Sequence, residues 1–270
     1  MSLRCPLCHN ALQAGEKTAV CAQGHSFDRA REGYFNLLPV QNKNSLNPGD
    51  DAAMVAARTS FLEAGFYTPF RDTLRGLFAP LQATHLLDSG CGEGWYSTEL
   101  GKTAQKTTAF DISKETVKRA AKRSRDITWL VASSQDIPLQ DACVDVMTAI
   151  FSPLPTAEAA RVLKPGGHLF IAAPGEKHLW ELREALYEEV RPHQAEKWQE
   201  ELAPAFRFHS EAEISFRIEL ADNAMLKNLL QMTPHYWRAP RERRTAVEAL
   251  PAFSTQVNFR ILQFCKKTAS

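Results

Sequence analysis

From residue 52 onward, short apolar runs alternate with stretches whose apolar positions repeat at helical spacing. Residues 52–80 read as helical, with Ala52 to Leu62 rich in helix formers and Gly65 as a break. Leu86 and Leu87 end an apolar run that stops at Asp88, where Gly90, Gly92 and Gly94 alternate with small or polar residues before a helix-compatible segment. This order predicts strand, tight turn and helix. A second strand closes on Asp111, a helix covers Lys114 to Arg125, and Trp129 to Ser134 reads as a third strand with its loop. Asp145 to Phe151 is a buried strand, and Arg161 to Ala173 reads as helix end, Leu-Lys-Pro-Gly-Gly turn and strand. The region from Trp180 to Arg217 reads as a helix and an insertion carrying Pro192, Pro204, Phe206 and Phe208. Phe216–Leu220, Asp222–Trp237 and Thr255–Phe264 supply a last strand, helix and strand. Strands alternating with helices at these lengths predict an α/β fold.

Gly90, Gly92 and Gly94 allow positive φ and let a ligand lie against peptide N–H groups at a helix N-terminus, where the dipole favours an anionic group. Their spacing is G-x-G-x-G, unlike the G-x-G-x-x-G of dinucleotide folds. Asp111 stands where nucleotide-binding α/β folds place an acid for the two ribose hydroxyls. With Asp88 two residues ahead of Gly90, the loop resembles that of the class I, Rossmann-like S-adenosylmethionine-dependent methyltransferases, which implies a doubly wound α/β sheet. The turn before the strand ending at Ala173 resembles theirs as well. Many such enzymes place an Asp after the third strand to hold the adenine amino group. Ser133 occupies that place here, so the resemblance implies an adenine contact from Ser133 or from the N–H of Ser134.

The first thirty residues contain Cys5-Pro-Leu-Cys8 and Cys21-Ala-Gln-Gly-His25. Two ligands from each of two knuckles can close a tetrahedral shell of three thiolates and one imidazole, so Cys5, Cys8, Cys21 and His25 are the expected ligands of one structural zinc. A segment this short buries too little apolar area to fold alone, so the metal carries much of its stability. The competing haem-attachment reading of Cys5-x-x-Cys8-His9 leaves Cys21 and His25 without a role. Gln41 to Asp51 has the composition of a linker. The expected organisation is therefore a zinc-binding domain at 1–38, a linker and helical start at 39–60, and a methyltransferase domain at 61–270.

At 270 residues and 44% apolar content the chain can build a substantial core, and a formal charge of +1 means that any basic surface must be local. Lys114 to Arg125 carries six basic residues, open to reading as a solvated face or an RNA contact. Arg238, Arg241, Arg243 and Arg244 follow Tyr236 and Trp237 and form the better RNA candidate. No apolar span reaches membrane length, the N-terminus lacks the regions of a secretory signal, and six cysteines fit thiols or metal ligands better than disulfides, so a cytoplasmic location is expected.

Both knuckles, Glu-Gly-Tyr-x-Asn-Leu-Leu from Glu32, Pro48-Gly-Asp, Phe61-Leu-x-Ala-Gly-x-Tyr67-x-Pro, the glycine loop and Gln231-Met-Thr-Pro-His-Tyr-Trp237 together resemble the bacterial 23S rRNA (guanine-N1)-methyltransferases. The resemblance implies methyl transfer from S-adenosylmethionine to N1 of a guanine in a 23S rRNA hairpin, position 745, with a related branch acting on position 748. It also implies cofactor contacts from Tyr67, Gly92, Glu93 and His178, and a homodimer. Other readings are a small-molecule methyltransferase with the zinc as a clip, and an RNA-binding module that keeps only cofactor binding. Phe151-Ser-Pro-Leu-Pro155 follows the fourth strand, where base-modifying enzymes keep a catalytic loop, although an ordinary connection fits equally well. No residue declares itself as the acceptor of the N1 proton; Glu93, Asp136 and the 151–155 loop are candidates only.

Overall fold

The computed structural model describes residues 2–39, 51–191 and 198–268. Most of the expected linker, Gln41 to Asp50, and Pro192 of the expected insertion lie outside the described residues. The N-terminal lobe is a three-stranded antiparallel sheet of β1 (Leu12–Ala14), β2 (Thr18–Cys21) and β3 (Ser26–Asp28). β4 (Phe35–Asn36) leaves this lobe and pairs in parallel with β7 (Ile127–Val131), through Phe35 with Leu130 and Asn36 with Val131. The first thirty-odd residues thereby reach the far edge of the main sheet.

Asp51 accepts the N–H groups of Ala53 and Met54 at 2.9 Å and starts α1 (Ala52–Glu63). Gly65, at φ +88°, separates it from α2 (Thr68–Phe78), as the sequence predicts. The sheet then grows through β5 (Ala83–Ser89), α3 (Trp95–Leu100), β6 (Ala104–Asp111), α4 (Lys114–Arg123) and β7. The chain returns across β5 to β8 (Val144–Ile150), α5 (Thr156–Val162) and β9 (Leu163–Pro174). α6 (Trp180–Leu186) and α7 (Trp198–Leu202) follow. The chain ends in β10 (Phe206–Leu220), α8 (Asn223–Gln231), α9 (His235–Arg238), α10 (Arg241–Glu248) and β11 (Phe253–Lys266). Strand order in the eight-stranded sheet is β10-β11-β9-β8-β5-β6-β7-β4, parallel except where β11 runs against β9 and β10. This is the class I methyltransferase sheet, doubly wound, with the reversal of strand order between β5 and β8.

Two apolar clusters cover the sheet's faces. One joins α1, α2, α3, α6 and α8 to Phe170, Val257, Phe259 and Ile261. The other joins Leu3, Cys5 and Phe35 to Leu130, Met147, Ile171 and Leu262, so the N-terminal lobe shares a core with the sheet.

Three elements depart from the sequence reading. The expected insertion ends early, because β10 starts at Phe206 and runs fifteen residues against β11. Arg207 to Glu211 are all exposed on this edge strand, so the pairing comes from β11 and not from a local apolar pattern. The expected helix over Asp222–Trp237 splits into α8 and α9 at Thr233-Pro234, since proline cannot continue the α8 hydrogen bonds. β9 absorbs the expected Lys164–Gly167 turn, with Gly166 at φ +76° and a register shift against β8 between Val144 and Val146.

Candidate cofactor crevice and metal centre

The C-terminal ends of β5 and β8 lie side by side, Ser89 opposite Ala149, and the glycine turn follows from there. Gly90, Gly92 and Gly94 all have positive φ, at +73°, +55° and +79°. A Cβ on Gly94 would sit 2.6 Å from the Trp129 ring and 2.9 Å from Ala120, so this position needs glycine for both torsion and space. The N–H groups of Gly90 and Cys91 both donate to the Phe110 carbonyl at 2.9 Å, and Gly92 N–H donates to Asp111 Oδ2 at 3.0 Å. Asp111 Oδ1 accepts from Ser113 N–H at 2.8 Å. The turn is thereby fastened to the end of β6, with the Asp111 carboxylate beside it.

Asp88 lies under the turn. Burial pushes its carboxyl up to about 7; the Ser97 hydroxyl, donating at 2.5 Å, opposes this, and the nearby Asp111 and Glu93 charges reinforce it. Its Oδ1 has no hydrogen-bond partner among the described residues. Glu93 is buried at the start of α3 and receives Arg58 Nε from α1 at 2.8 Å, while Arg123 Nε of α4 donates to the Glu93 carbonyl at 2.8 Å.

Tyr67 and His178 come together although 111 positions separate them. Their ring centroids are 6.5 Å apart, and Phe259 touches both, at 5.1 Å from Tyr67 and 4.5 Å from His178. Both are nearly buried, and burial raises the Tyr67 phenol well above its usual range. Phe151 extends this aromatic group, 4.8 Å from Phe259 and 5.5 Å from Phe70, yet remains 43% exposed and holds φ +53°. A bulky residue in that region is strained, and such strain gathers at functional sites. Ser133 Oγ accepts from Gln135 N–H at 3.2 Å, and Ala132 N–H donates to the Asp111 carbonyl at 3.0 Å, so the Ser133–Ser134 loop is tied to the same strand end.

The metal-binding set is equally local. Cys5, Cys8, Cys21 and His25 present one ligand atom each within 4.8 Å of one another. The Cys8–Cys21 sulfurs are 3.6 Å apart, and His25 Nδ1 lies 3.6 Å from Cys5 Sγ and 3.4 Å from Cys21 Sγ. Zinc bonds of about 2.3 Å to sulfur and about 2.0 Å to nitrogen give tetrahedral edges of roughly 3.5–3.8 Å, so this donor set fits zinc. The N–H groups of Gln23 and His25, with Cys8, outweigh burial and hold the Cys21 thiol down to about 7, which favours the thiolate. His9, a positive-φ residue with an exposed side chain, lies outside the set and 3.8 Å from Asp136.

Several partners were not legible in the sequence. Arg58 pairs with Glu93 across thirty-five positions, Ser97 holds Asp88, and Arg4 of the N-terminal lobe forms an ion pair with Asp136. Arg4 N–H also donates to the Pro138 carbonyl at 3.0 Å, which fastens the lobe to the loop after β7. Asp136 is therefore engaged by the N-terminal lobe. Of the basic cluster after Trp237, Arg244 stacks on Tyr236 at 4.6 Å and Arg243 reaches Glu188, whereas Trp237 is 62% exposed.

Fold and donor sets define a class I, S-adenosylmethionine-dependent methyltransferase carrying an N-terminal zinc ribbon. The sequence matches the zinc-ribbon family described as "RlmA, N-terminal" over residues 3–46 and the "Methyltransferase domain" family over residues 87–171. It is 32% identical to the 23S rRNA (guanine(748)-N(1))-methyltransferase of Streptomyces fradiae, over 92% of this chain and 91% of that one. It is 33% identical to YxjB of Bacillus subtilis (strain 168), named as a candidate 23S rRNA (guanine-N(1)-)-methyltransferase, over 96% of this chain and 95% of that one. The chain belongs to the 23S rRNA (guanine-N(1)-)-methyltransferase family. Among solved structures, a chain from the complex of the Haloferax volcanii Trm112 methyltransferase activator with its candidate methyltransferase superposes with TM-score 0.52 at 16% identity, covering 82% of this chain and 100% of that one. That likeness concerns the fold alone.

Proposed function

We propose that this protein methylates N1 of guanine 745 in a hairpin of 23S rRNA, as a cytoplasmic homodimer, with Gly90–Gly94, Asp111, Ser133–Ser134, Tyr67 and His178 forming the cofactor crevice. The observation that carries the reading is the positive-φ turn fastened to Asp111 at the point where strand order reverses, the place at which doubly wound sheets bind nucleotides. When bound, S-adenosylmethionine supplies an electrophilic methyl group on a sulfonium.

The chain's own part is to bind, orient and exclude water. Asp111, fixed by two backbone N–H groups, accepts ribose hydroxyls. Ser133 or the N–H of Ser134 meets the adenine edge, and Glu93, clamped by Arg58, keeps the N-terminus of α3 in position. Tyr67 and His178, bridged by Phe259, close the methionine end against solvent. Phe151, strained and partly exposed, offers its ring to a base drawn out of the hairpin. No described helix is long and apolar enough to cross a membrane, and a cytoplasmic site of action suits a ribosomal substrate. Mass mapping of 23S rRNA from cells with and without the gene tests this reading. Loss of one methylguanine at 745 is expected; loss at 748 corrects the position, and an unchanged map overturns the function.

A further inference from the structure

α4 carries two rows of like charge, Lys118 with Lys122 and Arg119 with Arg123. Residues four apart are neighbours on a helix surface, and like charges there weaken the helix, so local stability does not account for them. Lys122 and Arg123 stand in the last turn, where the helix dipole favours cations; Lys118 and Arg119 stand a turn earlier and gain little from it.

With α1 this helix walls a groove of about 500 Å³, lined by Glu63, Glu115, Lys118, Arg119, Lys122 and Arg123 among others. Arg123 is engaged: its Nε donates to the Glu93 carbonyl at 2.8 Å, and its guanidinium pairs with Glu63 at 2.8 Å. Among the described residues no hydrogen bond or ion pair engages the head groups of Lys118, Arg119 and Lys122. Three cations therefore share the groove with one remaining carboxylate, Glu115. Lys118 and Arg119 are half-buried, and partly desolvating an unpaired charge is unfavourable until an anion arrives.

The groove is held on both sides. Tyr34 and Leu38 of the N-terminal segment pack with Val117, Ala120 and Ala121 of α4, and Arg125 donates to the Glu32 carbonyl at 2.8 Å. On the other side, α1 separates the groove from the crevice. Its Phe61 ring lies 5.1 Å from Tyr67, while Glu63, two residues on and so on the opposite side of the helix, lines the groove. The Arg123 bond to Glu93 ties the groove to the glycine turn itself.

The other basic clusters are more fully consumed. After Trp237, Arg243 pairs with Glu188 and Arg244 donates to the Tyr236 carbonyl at 2.8 Å, which leaves Arg238 and Arg241. In the N-terminal lobe Arg4 pairs with Asp136, and Arg29 donates to the carbonyls of Glu16 and Gly33. A row of unpaired cations along one helix matches a row of anions, and a nucleic-acid backbone presents one such charge per nucleotide.

We propose that the groove between α1 and α4 is the docking surface for the sugar–phosphate backbone of the rRNA strand that flanks the acceptor guanine. Lys118, Arg119 and Lys122 each meet a phosphate, and Arg123 fixes the groove relative to the glycine turn. Such contacts set the register of the strand against the crevice and carry no base identity. The proposal rests on the rRNA reading above and adds where the backbone lies.

The test uses the zinc-loaded full chain and a fluorescent 23S rRNA hairpin containing the target guanine, with anisotropy read between about 50 and 200 mM salt. In the triple variant Lys118→Gln, Arg119→Gln, Lys122→Gln, the slope of log affinity against log salt should become shallower by about 2 to 3, at about 0.7–0.9 per phosphate, and Kd should rise about tenfold to a hundredfold. Glutamine is a good helix former and the changes remove like-charge repulsion, so the fold should persist. Calorimetry with S-adenosylhomocysteine, whose crevice the three side chains do not enter, checks that it does. Lys122→Gln alone, at an exposed position, should flatten the slope by about 0.7–0.9 and gives the same reading should the triple variant fold poorly. Arg238→Gln with Arg241→Gln should change the slope less than the triple variant does. Wild-type slope and Kd in the α4 variants, or a larger loss in the Arg238 and Arg241 pair, overturns the groove while leaving rRNA methylation intact. A wild-type protein that neither binds nor methylates the hairpin overturns the rRNA reading and the groove with it.

Discussion

The zinc ribbon and the glycine crevice are both built on short turns held in place by a handful of bonds, but the bonds differ in kind. In the ribbon, four side-chain ligands converge on one point, presented by two tight backbone turns. In the crevice no side chain converges on a centre; the turn is held by peptide N–H groups on Phe110 and Asp111 and by a lack of room around Gly94. The first design depends on one bound ion, the second on the packed sheet beneath it. They meet where Arg4, next to ligand Cys5, grips the loop after β7 that carries Ser133 and Ser134.

Removing the ion should break the comparison most sharply. Structural zinc contributes apparent free energies of about 10–16 kcal/mol. Chelation, or Cys8→Ser, is expected to abolish amide protection in residues 2–39 while β5, β8 and β9 keep theirs, as read by hydrogen exchange. Uniform loss across the sheet would show that the two regions are one cooperative unit.

Next comes Asp88, whose carboxyl shifts from the ordinary 3.8 to about 7. The folded state holds this proton where the unfolded chain has released it, so stability falls as pH rises from about 4 to about 7. The difference amounts to roughly 4 kcal/mol as an upper bound, at about 1.4 kcal/mol per unit. Asp88→Asn should flatten that part of the stability-against-pH curve in urea titrations; an unchanged slope refutes the assignment.

Gly94→Ala combines a positive-φ penalty with a clash on Trp129, and is expected to cost about 3 kcal/mol in denaturant midpoint and most of the cofactor affinity. Cofactor binding within threefold of wild type would mean that the turn does not form the crevice wall. The smallest effect belongs to the joint: Arg4→Ala should cost about 1 kcal/mol and weaken S-adenosylhomocysteine binding about fivefold with zinc still bound. Unaltered affinity would show that the ribbon leaves the loop's order untouched.

The same contrast decides what the sequence reveals. Ligands in a knuckle are neighbours in the chain, so Cys5, Cys8, Cys21 and His25 declare themselves by spacing, and glycines that need positive φ declare themselves by identity. Arg58 gives no such sign, because its meaning comes from Glu93, brought near only when α1 folds back over the glycine turn. β4 is two residues long, and apart from a bridge between Phe35 and Arg29 its pairing comes from its distant partner β7. In β10, Ala212, Ile214, Phe216 and Ile218 do alternate with polar residues, a strand signal present in the sequence; Arg207 to Ser210 carry none and extend the strand only because β11 is there to pair with. Asn258 illustrates the limit: an asparagine within a strand looks unremarkable until the turn it pins is folded against it.

The placement of β4 also constrains the order of events during synthesis. The knuckles of the ribbon leave the ribosome early and can capture their ion at once, but the strand that follows them, bridged locally to Arg29 through Phe35, cannot join the main sheet until Ile127–Val131 has emerged. Until then that end of the lobe has only its local bridge, so metal capture can precede, and is separate from, the docking that seals the sheet's outermost edge.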